Sequence, residues 1–405
     1  METKSLQVLA CVLSLSVATC GDSDVEISPE SRFVAWKHSS TGLAWNQSIY
    51  SDSTGTHVFR MLPRKGSQEY DYRLIRLDEN GSLVFEKSLT FKSKTVRLIP
   101  LGFNGGRNTF AFVRISIPLS KADQVPWKYW VSIVEVDRQS GSVRETKPQA
   151  FKHKGVTLGG GRRATDGRVL LYGKARYALW LGMLAPDGRP LWGTSFYDEP
   201  TVGYLLSKTN PHVRFGNDGT VSFVSSSPKA RAGKFIRNLY RLTIKSDGSA
   251  VGVSSLLDYK LEDIKPSGPR AAPGAYLLRR ANDGFVFNLD GWHGNRFVRA
   301  RVARTGKAKK LSWITTLIDS KKGDVVGLAV GSRGEIVAIG KDDGRDSIYV
   351  MSPDGKVRKR YSAGKYSILS LRAHANGGYI LRVRLKNKKK ANADAYLRIK
   401  SWMEK

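Results

Sequence analysis

The sequence predicts an all-β protein in which seven similar units close into one ring. Three observations lead there. A hairpin pattern with a glycine turn recurs along most of the chain, no helical periodicity of useful length competes with it, and a strand-like segment near the N-terminus belongs to no unit of its own.

The second half of each unit is an alternating strand, a turn built on Asp and Gly, and another strand. It reads YRLIRLDENGSLVFEKSL from Tyr72, VSIVEVDRQSGSVRET from Val131, LWLGMLAPDGRPLWGTSF from Leu179, LYRLTIKSDGSAVGVSSL from Leu239, VRARVARTGKAKKLSWI from Val298 and IYVMSPDGKVRKRYSA from Ile348. A seventh copy from Ala395 stops after its first strand. The first half of each unit is an apolar stretch, a Gly-containing turn and a strand, as in TDGRVLLYG, NDGTVSFVS and NGGYILRV. Asn-Gly and Asp-Gly between apolar runs mark hairpins, because the turn needs positive φ and glycine adopts it without a steric cost. Each unit therefore has four strands. The second-hairpin glycines, Gly81, Gly141, Gly188, Gly248, Gly306 and Gly355, recur every 47 to 60 residues, which suits four-stranded blades with loops of variable length.

Isolated hairpins could not bury both faces, whereas blades packed around an axis do. The expected architecture is a single seven-bladed β-propeller over residues 31–405. The segment Ser31 to Ser39, SRFVAWKHS, should supply the missing outer strand of the last blade and remove two open sheet edges. Tyr72 to Phe85, Leu179 to Trp192 and Asn376 to Lys400 carry a pattern that resembles delta-sixty-repeat and quinoprotein-like β-propellers. The resemblance implies the same architecture with an aromatic residue in the outer strand: Trp192, a shifted Trp313, and Phe85. It implies no chemistry, since propellers host many unrelated functions.

The N-terminus reads as an address. Residues 1–20, METKSLQVLACVLSLSVATC, hold an apolar run from Leu6 to Val17 with the length of a signal-peptide core, ending in Val17-Ala18-Thr19-Cys20. That ending resembles the bacterial lipobox, so Cys20 is the expected lipidation site of an exported, membrane-anchored lipoprotein on the periplasmic side or the cell surface. The alternative is a secreted protein cleaved nearby. Residues 21–30 read as a polar tether. Cys11 and Cys20 are the two cysteines, so no disulfide scaffold or thiolate zinc site is possible downstream.

With 67 Lys plus Arg against 35 Asp plus Glu, the chain carries +32 charges in 405 residues. An excess of that size concerns solubility, association and polyanionic partners, not the fold. In a propeller the two hairpin turns of every blade lie on one face, and the remaining connections lie on the other. The turn face receives Asp78, Asp137, Asp166, Asp187, Asp218, Asp247, Asp283 and Asp354, which tight turns favour for local hydrogen bonding. The opposite face receives cations in nearly every blade, among them Arg97, Lys341 and Arg345, the PKARAGKFIR loop with Lys229, Arg231, Lys234 and Arg237, and the LKNKKKANAD loop with Lys386, Lys388, Lys389 and Lys390. Trp127, Trp292 and His293 lie in or beside these loops, where their rings could stack on sugars or bases or simply cover blade edges. The Gly-rich GGGRR at 159–163 precedes a strand instead of opening a helix, so it is no phosphate cradle. It reads as an inner strand crowded at the axis, with Arg162 and Arg163 near a channel mouth.

No nucleophile elbow, zinc-ligand pair or P-loop occurs. No catalytic residue, metal or cofactor is assigned. The expectation is a monomeric, non-enzymatic module whose basic face engages an anionic glycan, lipopolysaccharide, nucleic acid or an acidic protein. Two alternatives stay open: a scaffold for envelope protein assembly, and a lyase or hydrolase with its site in the channel. Clustering of His, Arg and Tyr in the channel would favour the last.

Overall fold

The computed structural model describes residues 25–26, 34–41, 46–63, 70–91, 94–104, 108–117, 129–151, 156–175, 178–196, 212–231, 234–260, 278–281, 284–293, 296–305, 310–318, 323–385 and 393–399. The chain is a seven-bladed β-propeller of four-stranded antiparallel blades, as its repeats predict. Blade 1 runs from its inner strand Asn46–Asp52 through Gly55–Pro63 and Tyr70–Leu77 to the outer Leu83–Ser88. The inner strands of blades 2 to 7 are Thr95–Asn104, Val156–Arg163, His212–Phe215, Leu278–Ala281, Asp324–Val330 and Tyr366–Ala373.

The predicted closure is present. Val34–Thr41 pairs antiparallel with Ala393–Ile399 and forms the outer strand of blade 7, with Val34 opposite Ile399 and Thr41 opposite Ala393. The last blade is thus built from both ends of the ring-forming chain. One further pairing lies within the segment expected to be a tether: Val25–Glu26 runs parallel to the outer strand of blade 6, Val357–Ser362, with Val25 opposite Tyr361. The outer strand of blade 2 is split into Val143–Glu145 and Gln149–Phe151. Pro148, which has no N–H to give a ladder, lies in the gap.

Between the blades the apolar faces meet in seven clusters, one per interface. Phe59, Leu74, Phe110 and Phe112 join blades 1 and 2, Val113, Ile133, Leu171 and Trp180 join blades 2 and 3, and Ile49, Val58, Ile380 and Tyr396 join blade 7 back to blade 1. The aromatic residue of the outer strand has a visible task here. Trp192 lies on the turn of the next blade, where a Cβ on Gly248 would come within 2.7 Å of the indole, and its Nε1 donates to the Ser246 carbonyl at 3.0 Å. Trp313 repeats the arrangement on Gly355, donating to the Pro353 carbonyl at 3.0 Å, and Phe85 covers Gly141. The glycine is required twice over, since Gly248 also has φ +89°.

The turn aspartates behave as local caps. Asp78 accepts from Asn80 N at 2.9 Å, Asp187 from Arg189 N at 3.0 Å and Asp247 from Ser249 N at 2.8 Å. In the first hairpin turn of blade 7, between Tyr366–Ala373 and Tyr379–Leu385, the imidazole of His374 does the same work, its Nδ1 accepting from Asn376 N at 3.1 Å.

One expectation needs correction. PKARAGKFIR is not a loop, because Val221–Arg231 and Lys234–Ile244 continue pairing until Arg231 faces Lys234 across Ala232 and Gly233. The segment keeps enough extended, laddered backbone to lengthen both strands to 11 residues, and only two residues of the chain separate them.

Candidate anion-binding channel

The inner strands of six blades surround an axial cavity of about 700 Å³. Ser48 to Ser51 enter from blade 1, Val96 to Pro100 from blade 2, Gly159 to Arg162 from blade 3, His212 from blade 4, Arg279 and Arg280 from blade 5, and Arg372 and Ala373 from blade 7. Tyr50 and Tyr172 also face it. Five arginines, Arg97, Arg162, Arg279, Arg280 and Arg372, line this space, and the described lining contains no aspartate or glutamate.

Local structure explains the placement. The inner strand of blade 3 carries a bulge between Leu158 and Gly160. Gly160 leaves room for the Tyr172 hydroxyl, which lies against the place a Cβ would occupy, and a Cβ on Gly161 would meet Leu101 at 2.7 Å. The glycine run is thus a close-packed inner strand, as the sequence predicts. Bulges turn carbonyls out of the ladder, and Arg97 uses them: its guanidinium donates to the Leu158 carbonyl and, at 3.5 Å, to Gly159. Arg279 is braced likewise, its Nε donating to the Leu328 carbonyl of blade 6 at 2.8 Å.

Arg162, directly after the glycine run in its strand, has no hydrogen-bond or ion-pair partner among the described residues, and neither do Arg280 and Arg372. The charge of Arg162 reaches groups from four other blades as well as its own. Burial raises the Tyr50 phenol, and Arg162 opposes it. Burial pushes Tyr172 up to about 12, again against Arg162. His212 falls to about 4 through burial, then the charges of Arg280, Arg162 and Arg214. Arg279 is lowered to about 9 by burial, then by Arg372 and Arg162. Burial and Arg162 also lower Arg372, with Tyr50 acting the other way. At neutral pH the channel therefore presents guanidiniums, two protonated phenols and a neutral imidazole. Cations that lower one another in this way favour any anion that enters.

Arg163 does not join this group. Its side chain is 1% exposed and ion-pairs with Glu135 of blade 2 at 2.6 Å. Lys229, Arg231, Lys234 and Arg237 lie in the long hairpin of blade 4, and Trp292 and His293 end a strand of blade 5, opposite Phe297 and Arg296; their side chains lie outside the described residues. So do Cys20, Trp127, Lys386, Lys388, Lys389 and Lys390 in full. Of the residues expected from sequence to bind a polyanion directly, Arg162 alone is described in the channel. Arg279, Arg280 and Arg372 were missed, and Arg97 was read as a connection. Their signal was present as arginines inside the apolar stretches TVRLIP, LLRRA and SLRA that precede each hairpin.

No protein-family profile matches the chain, and no curated protein matches it. Solved structures do. The β-propeller domain of the Trilobed protease from Pyrococcus furiosus, reported with an open velcro topology, superposes with a TM-score of 0.51 at 8% identity, over 88% of this chain and 94% of that one. Pyrococcus horikoshii acylaminoacyl peptidase superposes with a TM-score of 0.52 at 12% identity, over 88% of this chain and 51% of that one, so the present chain spans about half its length. The likeness is one of fold. The propeller here closes its last blade with strands from both ends of the ring.

Proposed function

We propose that this protein is a non-enzymatic binding module that engages an anionic polymer through its basic face and arginine-lined axis. An acidic surface glycan or lipopolysaccharide is the first choice of partner, ahead of nucleic acid or an acidic protein, because the reading also takes Cys20 as a lipid anchor in the cell envelope. The observation that carries the proposal is the convergence of Arg97, Arg162, Arg279, Arg280 and Arg372 on one cavity whose described lining has no carboxylate. Guanidinium groups match carboxylate, sulfate and phosphate through paired N–H donors. A net charge of +32 would also speed the approach of a polyanion.

Chromatography on immobilised heparin and on immobilised nucleic acid tests it. Retention should weaken steeply as salt rises, and changing Lys386, Lys388, Lys389 and Lys390 together to Glu should reduce it. Retention indifferent to both salt and the substitutions would contradict the reading. For the anchor, Cys20→Ser should move the protein from the membrane to the soluble fraction.

A second reading has one observation in its favour: His212, Tyr50 and Tyr172 share the cavity with the arginines. In a channel-sited lyase or hydrolase, the neutral His212 would accept a proton while the arginines held the substrate's charge. Chain shortening of an anionic polysaccharide by the wild type, lost in His212→Ala, would establish this reading over the first.

A further inference from the structure

Resting on the anion-binding reading, we infer that the channel is a discrete site for one compact anion of at least two negative charges, a polycarboxylate or a phosphate group, with Arg162 and Arg372 as its principal ligands. The five lining arginines are not equivalent. Arg97 is committed to the carbonyls of Leu158 and Gly159, and Arg279 to that of Leu328. Those two act as braces between neighbouring blades. Arg162, Arg280 and Arg372 have no such commitment among the described residues; Arg162 and Arg372 come from blades 3 and 7, on different sides of the axis, and the charge of Arg162 reaches Arg372, which makes these two the pair an anion would bridge.

Volume and charge narrow the ligand. A cavity of about 700 Å³ holds a small molecule or the end of a chain, not a polymer passing along its length. Arg162 and Arg372, uncommitted like Arg280 and set beside the braced Arg97 and Arg279, repel one another, and a single carboxylate relieves only part of that repulsion. A polyvalent anion can bridge both, with paired N–H donors from each arginine. The Tyr172 hydroxyl can donate to the same oxyanion or to hydroxyls of its carrier, while that of Tyr50 already donates to the Pro100 carbonyl at 3.4 Å. The group could belong to a free metabolite or to the charged end of an anionic chain.

Calorimetric titration of the full chain with citrate, using acetate at equal ionic strength as the comparison, tests the inference. Citrate should bind with one site per chain and acetate should not. Arg162→Gln and Arg372→Gln should each weaken citrate by about 10-fold to 100-fold, the loss expected for a charge-assisted hydrogen bond. Arg162→Gln should also raise the melting temperature of the unliganded protein by relieving repulsion, a shift that a structural prop would not produce. Competition by a heparin-derived hexasaccharide assigns the source: displacement of citrate points to a chain end, and independent binding to a free anion. Citrate that binds no better than acetate, or binds equally to Arg162→Gln, would overturn the site. If heparin retention stays intact in that event, the polymer-binding reading survives; if retention is lost as well, both fall.

Discussion

Arg163 donates to Glu135 at 2.6 Å across the interface between blades 2 and 3, while its neighbour Arg162 faces the axis. Successive residues of a strand point to opposite faces, so one Arg-Arg pair supplies a structural ion pair and a ligand-facing cation. The two should respond oppositely to substitution. Arg163→Met leaves the Glu135 carboxylate buried without that cation and should cost about 3–5 kcal/mol in urea unfolding. Arg162→Gln should cost nothing. Equal losses would contradict the division of roles.

Trp192 and Gly248 join blades 3 and 4 by contact and by the bond to Ser246. Trp192→Phe keeps most of the cover and loses the donor, so a loss of about 1 kcal/mol is expected. Gly248→Ala adds a clash with the indole to the strain of its positive φ. The contrast is Gly344→Ala, where φ is similar at +82° and no atom lies within 4 Å of the added carbon. There, backbone strain alone should cost about 1–2 kcal/mol. Gly248→Ala should be clearly the worse of the two by chemical unfolding.

Ring closure through Val34–Thr41 predicts the effect of truncation. A chain starting at residue 42 exposes the edge of Ala393–Ile399 and leaves blade 7 with three strands. It should melt at least about 5 °C lower, as expected for a loss of a few kcal/mol in a domain of this size. It should also self-associate in size-exclusion chromatography. An unchanged melting point would mean that the terminal strand is dispensable.

Two buried histidines set an acid limit. His57 is lowered to about 3 by burial, then the charges of Arg138 and Arg76, and its ring nitrogens have no hydrogen-bond partner among the described residues. His374 is lowered to about 4 by burial, then the charge of Arg398. Both folded values lie below the unfolded 6.5, so the unfolded chain binds protons first. Their stabilisation is present above pH 6.5 and is lost as pH falls toward 4, by up to about 1.4 kcal/mol per pH unit for each ring. His57→Phe, placed among Phe85, Phe103 and Phe110, should flatten that slope between pH 6 and 4.5. An unaltered slope would remove His57 from the account.

The blades were legible in the sequence because the turn chemistry repeats: Asp or Asn, then Gly at positive φ. Closure was legible because SRFVAWKHS had no unit of its own. The channel was not. Inner strands carry bulges between Thr95 and Arg97, Leu158 and Gly160, Val325 and Gly327, and Ile368 and Ser370. Each extra residue reverses the alternation of faces partway along the strand. Simple alternation therefore cannot tell which arginines meet the axis, and Arg97 and Arg372 both follow such a bulge. The hairpin of blade 4 was misread for a related reason, since Lys and Arg in PKARAGKFIR suggested a loop although the backbone continues the ladder to Arg231.

The most direct measurement of the central claim is arginine-selective labelling with phenylglyoxal, read residue by residue by mass spectrometry, with and without a heparin-derived hexasaccharide. Ligand in the cationic axis predicts protection of Arg162, Arg280 and Arg372, with Arg189 in a hairpin turn and Arg358 on an outer strand labelled as before. Protection spread evenly over exposed arginines, or absent from Arg162 while the saccharide is bound, would contradict it.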